Sequence, residues 1–316
     1  MNNNTVLITG AAGNLGTLLA EHLQDRSLHL LIHKKNVAEK LKNRSNIQIF
    51  RGDLAKKETL YPAMKGVDTI VHFAGVLFKA NPEKFLPTTN TLYFDNLLDV
   101  AIEEDVKRII LISFPHVEGE TTPDNPATGR LDGNPISVHA LTRLQEEKDM
   151  FRKCAEANIE AVSLRVGMVY GKGILMIDAA EWFSRRWLLG VWKKPTYTHL
   201  ISKIDFLAAT TAAIDNKNVQ GIYHLGDEGV QTLQELLDRV AKHKGYKKPW
   251  RMPLWMIMTA AQGFEIVSAL FNVKSPLTKD FVKIGQVSYY GDTSRMRKEL
   301  LPELKYRTVE EGMETF

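Results

Sequence analysis

Residues Val6–Leu23 read VLITGAAGNLGTLLAEHL. A short apolar run leads into Gly10, Gly13 and Gly16, and apolar residues at helical spacing follow. Strand, glycine turn and helix in this order are what a pyrophosphate-binding crossover needs. One glycine permits the tight turn, the next lets the backbone approach an anion, and the third lets helix and strand pack closely. The anion then rests on unpaired N–H groups at the positive end of the helix dipole. A glycine triplet alone would carry little weight, but here both flanking elements are present. The backbone of Gly10, Gly13, Asn14, Leu15 and Gly16 is therefore the expected dinucleotide cradle.

Outward from this motif, β-branched runs alternate with helical patterns. Val6–Thr9, His29–Ile32, Ile47–Phe50, Thr69–His72 and Arg108–Ser113 read as strands, and Leu15–Leu23, Lys56–Met64 and Thr91–Glu104 as helices. This βαβ rhythm predicts an α/β fold, a doubly wound parallel sheet of the NAD(P)-binding Rossmann type. Residues 1–171 form the expected dinucleotide-binding domain. Residues 172–316 form mainly a smaller substrate lobe, with segments around 201–226 returning to the sheet. Val230–Gly245 reads as a helix that Gly245 closes.

The chain has 316 residues, 44% hydrophobic and 25% charged, with Lys+Arg 41 against Asp+Glu 37. That is enough apolar matter for a sizeable core, and the cations are dispersed, which argues against nucleic-acid binding. The single Cys154 forms no internal disulfide and no metal cluster, and reads as a small core residue. The start MNNN lacks the features of a secretory signal, so a cytoplasmic location is expected. Leu254–Phe271 contains Gln262, Gly263 and Glu265 and is short for an integral membrane span, so it is read as an amphipathic helix.

The end of the second strand chooses the nucleotide. An NAD site usually places a carboxylate there for the ribose 2′-hydroxyl, whereas this chain has His33, Lys34 and Lys35. Cations suit a 2′-phosphate, which favours NADP, with NAD the alternative.

With these residues in view, the sequence resembles the extended short-chain dehydrogenase/reductase family, the group of NAD-dependent epimerases and dehydratases. TGAAGNLG matches its glycine motif, and RGDL (Arg51–Leu54) resembles the pair, Asp53 and Leu54, beside the adenine. DTIVHFAG (Asp68–Gly75) resembles the strand lining the nicotinamide side, which implies Phe73, Ala74 and Gly75 as cofactor contacts. Asn90 stands where the family often has a structural asparagine, LRVGMVYGKG (Leu164–Gly173) resembles the Leu-Arg-Pro…Tyr-Gly element, and Ile201–Ala209 resembles the family's later Asp-containing helix start. Tyr289–Phe316 resembles the closing segment of 3β-hydroxysteroid dehydrogenase-like members. The resemblance also implies a small-molecule substrate and a homodimer.

The catalytic positions depart from the family pattern. Its Ser/Thr position falls on Phe114, with Ser113 one residue earlier, and its Tyr and Lys positions fall on His139 and Arg143. Residues i and i+4 share a helical face, so His139 and Arg143 can point into one site. A histidine can donate a proton to a carbonyl as hydride arrives, and an arginine can hold ribose but not shuttle protons. Ser113 is the remaining hydroxyl, while His116 and Glu118 are expected to be exposed loop residues. Val76, Phe114, Met168, Trp182 and Trp187 are the expected substrate-pocket residues.

Ala179–Lys194 and Pro253–Phe271 are expected to be lobe helices packing on the core. The competing reading makes them a lid over a hydrophobic substrate that touches a membrane surface peripherally. For function, two readings stand. One is an NAD(P)-dependent oxidoreductase or epimerase/dehydratase-like enzyme acting on a hydroxyl or carbonyl carbon. The other is a catalytically silent NADP-binding redox sensor or assembly protein.

Overall fold

The computed structural model describes residues 4–75, 79, 81–271, 275 and 277–316. Val76, one of the expected pocket residues, lies outside them.

The first half alternates strand and helix: β1 (Val6–Thr9), α1 (Asn14–His22), β2 (Leu28–Ile32), α2 (Glu39–Lys42), β3 (Ile47–Arg51), α3 (Tyr61–Met64), β4 (Thr69–His72), α4 (Tyr93–Glu103), β5 (Arg108–Ser113), α5 (Val138–Glu156) and β6 (Glu160–Val166). Then come β7 (Met168–Tyr170), α6 (Leu175–Arg185), β8 (Gly190–Trp192), β9 (Leu200–Ser202), α7 (Lys203–Asp215), β10 (Gly221–Leu225), α8 (Leu233–His243), β11 (Trp250–Met252), α9 (Leu254–Phe271), α10 (Lys279–Gly285) and α11 (Ser294–Glu299).

The main sheet has seven parallel strands in the order β10-β6-β5-β4-β1-β2-β3. The order reverses between β1 and β4, so the crevice beyond their carboxyl ends is the ligand position of a doubly wound sheet. Strand alternation divides the core between the two faces. Val6, Ile8 and Ile110 join the cluster that includes Leu19 of α1 and Phe206 of α7. Leu7, Ile109 and Leu111 join the other, with Leu97 of α4 and Met150 of α5. Cys154 is buried in that second cluster, and burial pushes its thiol up to about 12. Outside the main sheet lie two small parallel pairs, β7 with β9 and β8 with β11.

Three local readings are corrected. Lys56–Met64 is not one helix: a 3-10 turn at Lys57–Thr59 precedes α3, which Pro62 starts afresh. Ala179–Lys194 is not one helix either, because α6 ends at Arg185. Trp187 takes φ +58°, and the N–H groups of Trp187 and Leu188 donate back to the Ser184 and Phe183 carbonyls at 3.0 Å each. This is a Schellman closure carried by a tryptophan where glycine is usual. Finally, Pro253–Phe271, expected to pack on the core as a lobe helix, buries only Ile257 and Ala261 of α9 and leaves most of that helix exposed.

Candidate active site

The cradle is built from backbone. Gly10 lies at φ +64°, and a Cβ there would sit 3.0 Å from the Ala74 nitrogen. A Cβ at Gly16 would sit 2.6 Å from the Gly10 carbonyl oxygen, so the first turn of α1 can lie against β1 only without a side chain. Gly13 caps α1 without a side-chain bond, leaving the helix's first N–H groups to the crevice. These features fit a pyrophosphate, whose charge the helix end would stabilise. Asn14 is occupied differently from Gly13. Its amide donates to the Gly173 carbonyl at 2.7 Å and its oxygen accepts from the Leu175 N–H at 3.0 Å, which staples the cradle to the start of α6. Leu15 packs against the core. Thr9 Oγ1 lies 2.9 Å from His72 Nδ1 and accepts from the Ala74 N–H at 3.3 Å, tying the ends of β1 and β4 together. Burial, and then Arg143, bring His72 down to about 3, so it is neutral.

At the far end of the crevice, His33, Lys34 and Lys35 are exposed. His33 Nε2 stands 3.6 Å from an Asp53 carboxylate oxygen, and Asp53 also accepts from the Ala55 N–H at 3.0 Å. Arg51 donates to the His33 carbonyl at 2.5 Å and to Asn36 Oδ1 at 2.7 Å, which adds a cation beside the two lysines. Arg51 was visible in the RGDL motif, yet only the side-by-side pairing of β2 and β3 brings it here.

At the near end, α5 starts at the Ser137 cap and brings two side chains inward. His139 Nδ1 lies 2.5 Å from Asp280 Oδ2 on α10, with both side chains largely buried. One turn on, Arg143 reaches the end of β4, where a Cβ at Gly75 would be 3.3 Å from its Nη2. Arg143 Nη1 also lies 2.8 Å from Glu146, a carboxylate that burial pushes up to about 8 despite that guanidinium. Phe73 packs edge-on against Phe206 beneath this point. Asn90 is buried and donates to Thr142 Oγ1 at 3.1 Å, so it braces α5.

Ser113 and Phe114 face opposite ways, as strand alternation requires. Ser113 pairs in register with Arg165, whose side chain meets Glu147 of α5, so Ser113 faces the α5 side. Its hydroxyl is buried without a hydrogen-bond partner among the described residues. Phe114 is extended and half-buried, its ring 5.5 Å from His116.

His116 and Glu118 are buried, which corrects the expectation of exposed loop residues. Glu118 accepts from the N–H groups of Thr128, Gly129 and Arg130 at 3.1, 2.7 and 3.0 Å. It also meets Arg165 directly, and Arg165 donates through Nε and Nη2 to Glu147 at 3.1 and 2.6 Å. Burial opposes ionisation of Glu118, but His224, Arg165 and the backbone donors outweigh it and bring the carboxyl down to about 2. This buried network props the turn after β5 against α5. The His116 ring lies tilted against Tyr289 with centroids 4.2 Å apart, and burial lowers the imidazole to about 4.

Beside Asp280 opens a cavity of about 600 Å³. Its walls include Asn81, Glu120, Ser137, Lys194, Lys279 and Lys283. Met168 packs instead with Tyr170 and Leu200. Trp182 and Trp187 stay half-exposed under the cations Arg186 and Lys247, outside this lining. Sequence reasoning missed Asp280, Glu146 and Arg165, because nothing local in the sequence ties Asp280 to His139.

Residues 6–213 match the family described as NAD dependent epimerase/dehydratase. Among curated proteins, the chain is 29% identical over 198 residues to a uronate dehydrogenase of Pseudomonas syringae, covering 62% of this chain and 70% of that one. It is 23% identical over 311 residues to the human sterol-4-alpha-carboxylate 3-dehydrogenase, decarboxylating, covering 93% and 82%. Among solved structures, a dTDP-glucose 4,6-dehydratase from Streptomyces venezuelae with NAD bound superposes with TM-score 0.78 at 16% identity, covering 98% and 95%. A UDP-glucuronic acid 4-epimerase from Bacillus cereus in complex with NAD gives TM-score 0.75 at 18% identity, covering 98% and 96%. At such identities these two report the fold.

Proposed function

The chain belongs to the NAD dependent epimerase/dehydratase family, and from that premise we propose an NADP-preferring oxidoreductase acting at a hydroxyl- or carbonyl-bearing carbon. In this reading His139 is the acid/base, Asp280 orients it, and Arg143 holds the nicotinamide ribose. The observation that carries the reading is the 2.5 Å contact between His139 Nδ1 and Asp280. A carboxylate accepting the Nδ1 proton fixes the tautomer and stabilises the imidazolium, and in this reading Nε2 is the nitrogen that exchanges a proton with the substrate oxygen. The bound nicotinamide supplies or accepts the hydride. In the reducing direction, the carbonyl oxygen takes the Nε2 proton as the carbon–hydrogen bond forms; oxidation reverses both transfers.

The Arg143 guanidinium offers only donors, so in this reading it binds and orients ribose hydroxyls without moving protons. Glu146 stands 2.8 Å from that guanidinium, and burial holds its carboxyl well above the usual range. Ser113, on the α5 side, is the hydroxyl available to polarise the substrate oxygen in place of the one Phe114 lacks. Loss of such a donor lowers rates on the order of 10²–10³-fold, which the Ser113 hydroxyl would have to recover. The charged cavity beside Asp280 favours a polar, hydroxylated substrate over the greasy one suggested by the tryptophan- and methionine-rich segments.

The test is NADPH oxidation against a panel of ketones, uronates and sugar nucleotides, with product matched to cofactor consumed. Tight NADPH binding without turnover across the panel would instead favour the silent cofactor-binding reading. For the cofactor preference, Lys34→Ala with Lys35→Ala is expected to weaken NADPH about tenfold or more, through lost charge-assisted bonds to the 2′-phosphate. NADH should be nearly unaffected. Equal losses for both, measured by fluorescence titration, would remove the NADP preference.

A further inference from the structure

We propose that α9 and the cationic ground beside it form a docking surface for anionic lipid, on which the helix lies in the membrane plane.

By length and composition Leu254–Phe271 could cross a membrane, yet its seat argues for lying flat. Its one charged residue, Glu265, accepts from the Lys279 N–H at 2.9 Å and lies 3.6 Å from that lysine's Nζ. Ile257 and Ala261 pack with Val282 of α10, joined by Trp192 and Met252. At 100° per residue these groups occupy one side of the helix. Trp255, Met256, Ile266, Val267 and Leu270 fall on the other, and all five are exposed, Leu270 to 75%. The Thr259 hydroxyl on that face is tied to the Trp255 carbonyl at 2.8 Å and adds no free polarity. An uncharged exposed face of this extent calls for a partner.

Charge identifies the partner. Residues 182–194 carry four cations and residues 239–251 carry six. Arg185, Arg239, Lys248 and Arg251 pair with Glu181, Glu310 and Asp238, which leaves Arg186, Lys193, Lys194, Lys242, Lys244 and Lys247 as the excess of positive charge. The parallel pairing of β8 with β11 sets these stretches side by side, and Pro253 leads from β11 straight into α9. Exposed Trp187, Leu188 and Trp250 lie within this cationic ground, with Lys247 3.2 Å from the Trp187 ring centroid. Apolar groups flanked by tryptophans and cations suit the headgroup level of a bilayer rich in anionic lipid. A face of a second copy of the chain would bring the same cations against each other. Because Glu265 and Lys194 also line the cavity beside Asp280, docking would set that cavity next to the lipid surface.

The full chain should co-sediment with phosphatidylglycerol vesicles, bind phosphatidylcholine vesicles at least about tenfold more weakly, and lose affinity as salt rises. Val267→Glu with Leu270→Glu should abolish binding. Lys193→Glu with Lys248→Glu, at exposed positions away from the apolar face, should weaken it about tenfold or more. Circular dichroism and NADPH titration establish that each variant is folded. Failure of the wild-type chain to bind either vesicle, or undiminished binding by both folded variants, overturns the proposal. So does resistance of bound protein to alkaline carbonate extraction, which would mark a spanning helix. A concentration-dependent dimer that the Val267 and Leu270 substitutions dissolve would also overturn it, by assigning the face to a second copy.

Discussion

His139→Phe is expected to lower turnover by about 10²–10⁴-fold, the usual contribution of a positioned acid/base, while NADPH affinity stays within about twofold. The phenylalanine fills the same volume at the start of α5, and the cradle at the start of α1 is made of other atoms. Asp280→Asn should give a smaller loss and shift the pH dependence of turnover. An amide can offer its N–H to Nδ1 and stabilise the wrong tautomer, and it withdraws the negative charge that supports the imidazolium. A structural role for the pair would instead lower the melting temperature of both variants and leave the pH profile of the surviving activity in place. Undiminished turnover by folded His139→Phe would move the acid elsewhere.

Arg165→Met is expected to destabilise the fold by roughly 3–5 kcal/mol, as loss of one partner from a buried ionic network does. Arg165 is fully buried, and the Glu118 and Glu147 carboxylates it joins are 1% and 0% exposed. Methionine would leave Glu147 without its guanidinium and Glu118 with only Arg130 at 3.6 Å and His224 at 3.3 Å. The pH dependence should flatten as well. In the native chain Glu118 lies near 2 against an ordinary 4.5, so its contribution is fully present above about 4.5 and is lost as pH falls toward 2. Without the guanidinium, His224 and the backbone donors still oppose burial, so the depression of that carboxyl should shrink and the variant should lose less stability than the wild type as pH falls from 4.5 toward 2. Urea denaturation across this range reads both effects. Parallel curves for variant and wild type would show that Arg165 does not govern the ionisation of Glu118.

What could be read in the sequence was what adjacent residues decide. The cradle was legible because strand, glycines and helix lie within one short run, and the shared face of His139 and Arg143 followed from helical spacing alone. Asp280 was not legible, since it stands 141 residues beyond His139 and meets it only when α10 folds over the start of α5. His116 and Glu118 looked like solvent-facing loop residues because the cation that draws Glu118 inward is on β6, in a run that otherwise reads as an apolar strand. Trp182 and Trp187 looked like pocket residues from composition. The Schellman turn after α6 instead leaves them on the surface, under cations that are separated in sequence or one turn away. Long-range pairing, rather than residue type, decided each of these cases.

NADPH titration of the wild-type chain and of Gly16→Val tests the central claim, that a dinucleotide lies on the backbone at the start of α1. A Cβ at Gly16 would stand 2.6 Å from a carbonyl oxygen that cannot swing aside, so the cradle must open. Wild type should bind with one-to-one stoichiometry, and folded Gly16→Val about 100-fold or more weakly, a loss of at least ~2.7 kcal/mol. Equal affinity in the two proteins, or no binding of either coenzyme by the wild type, would contradict it.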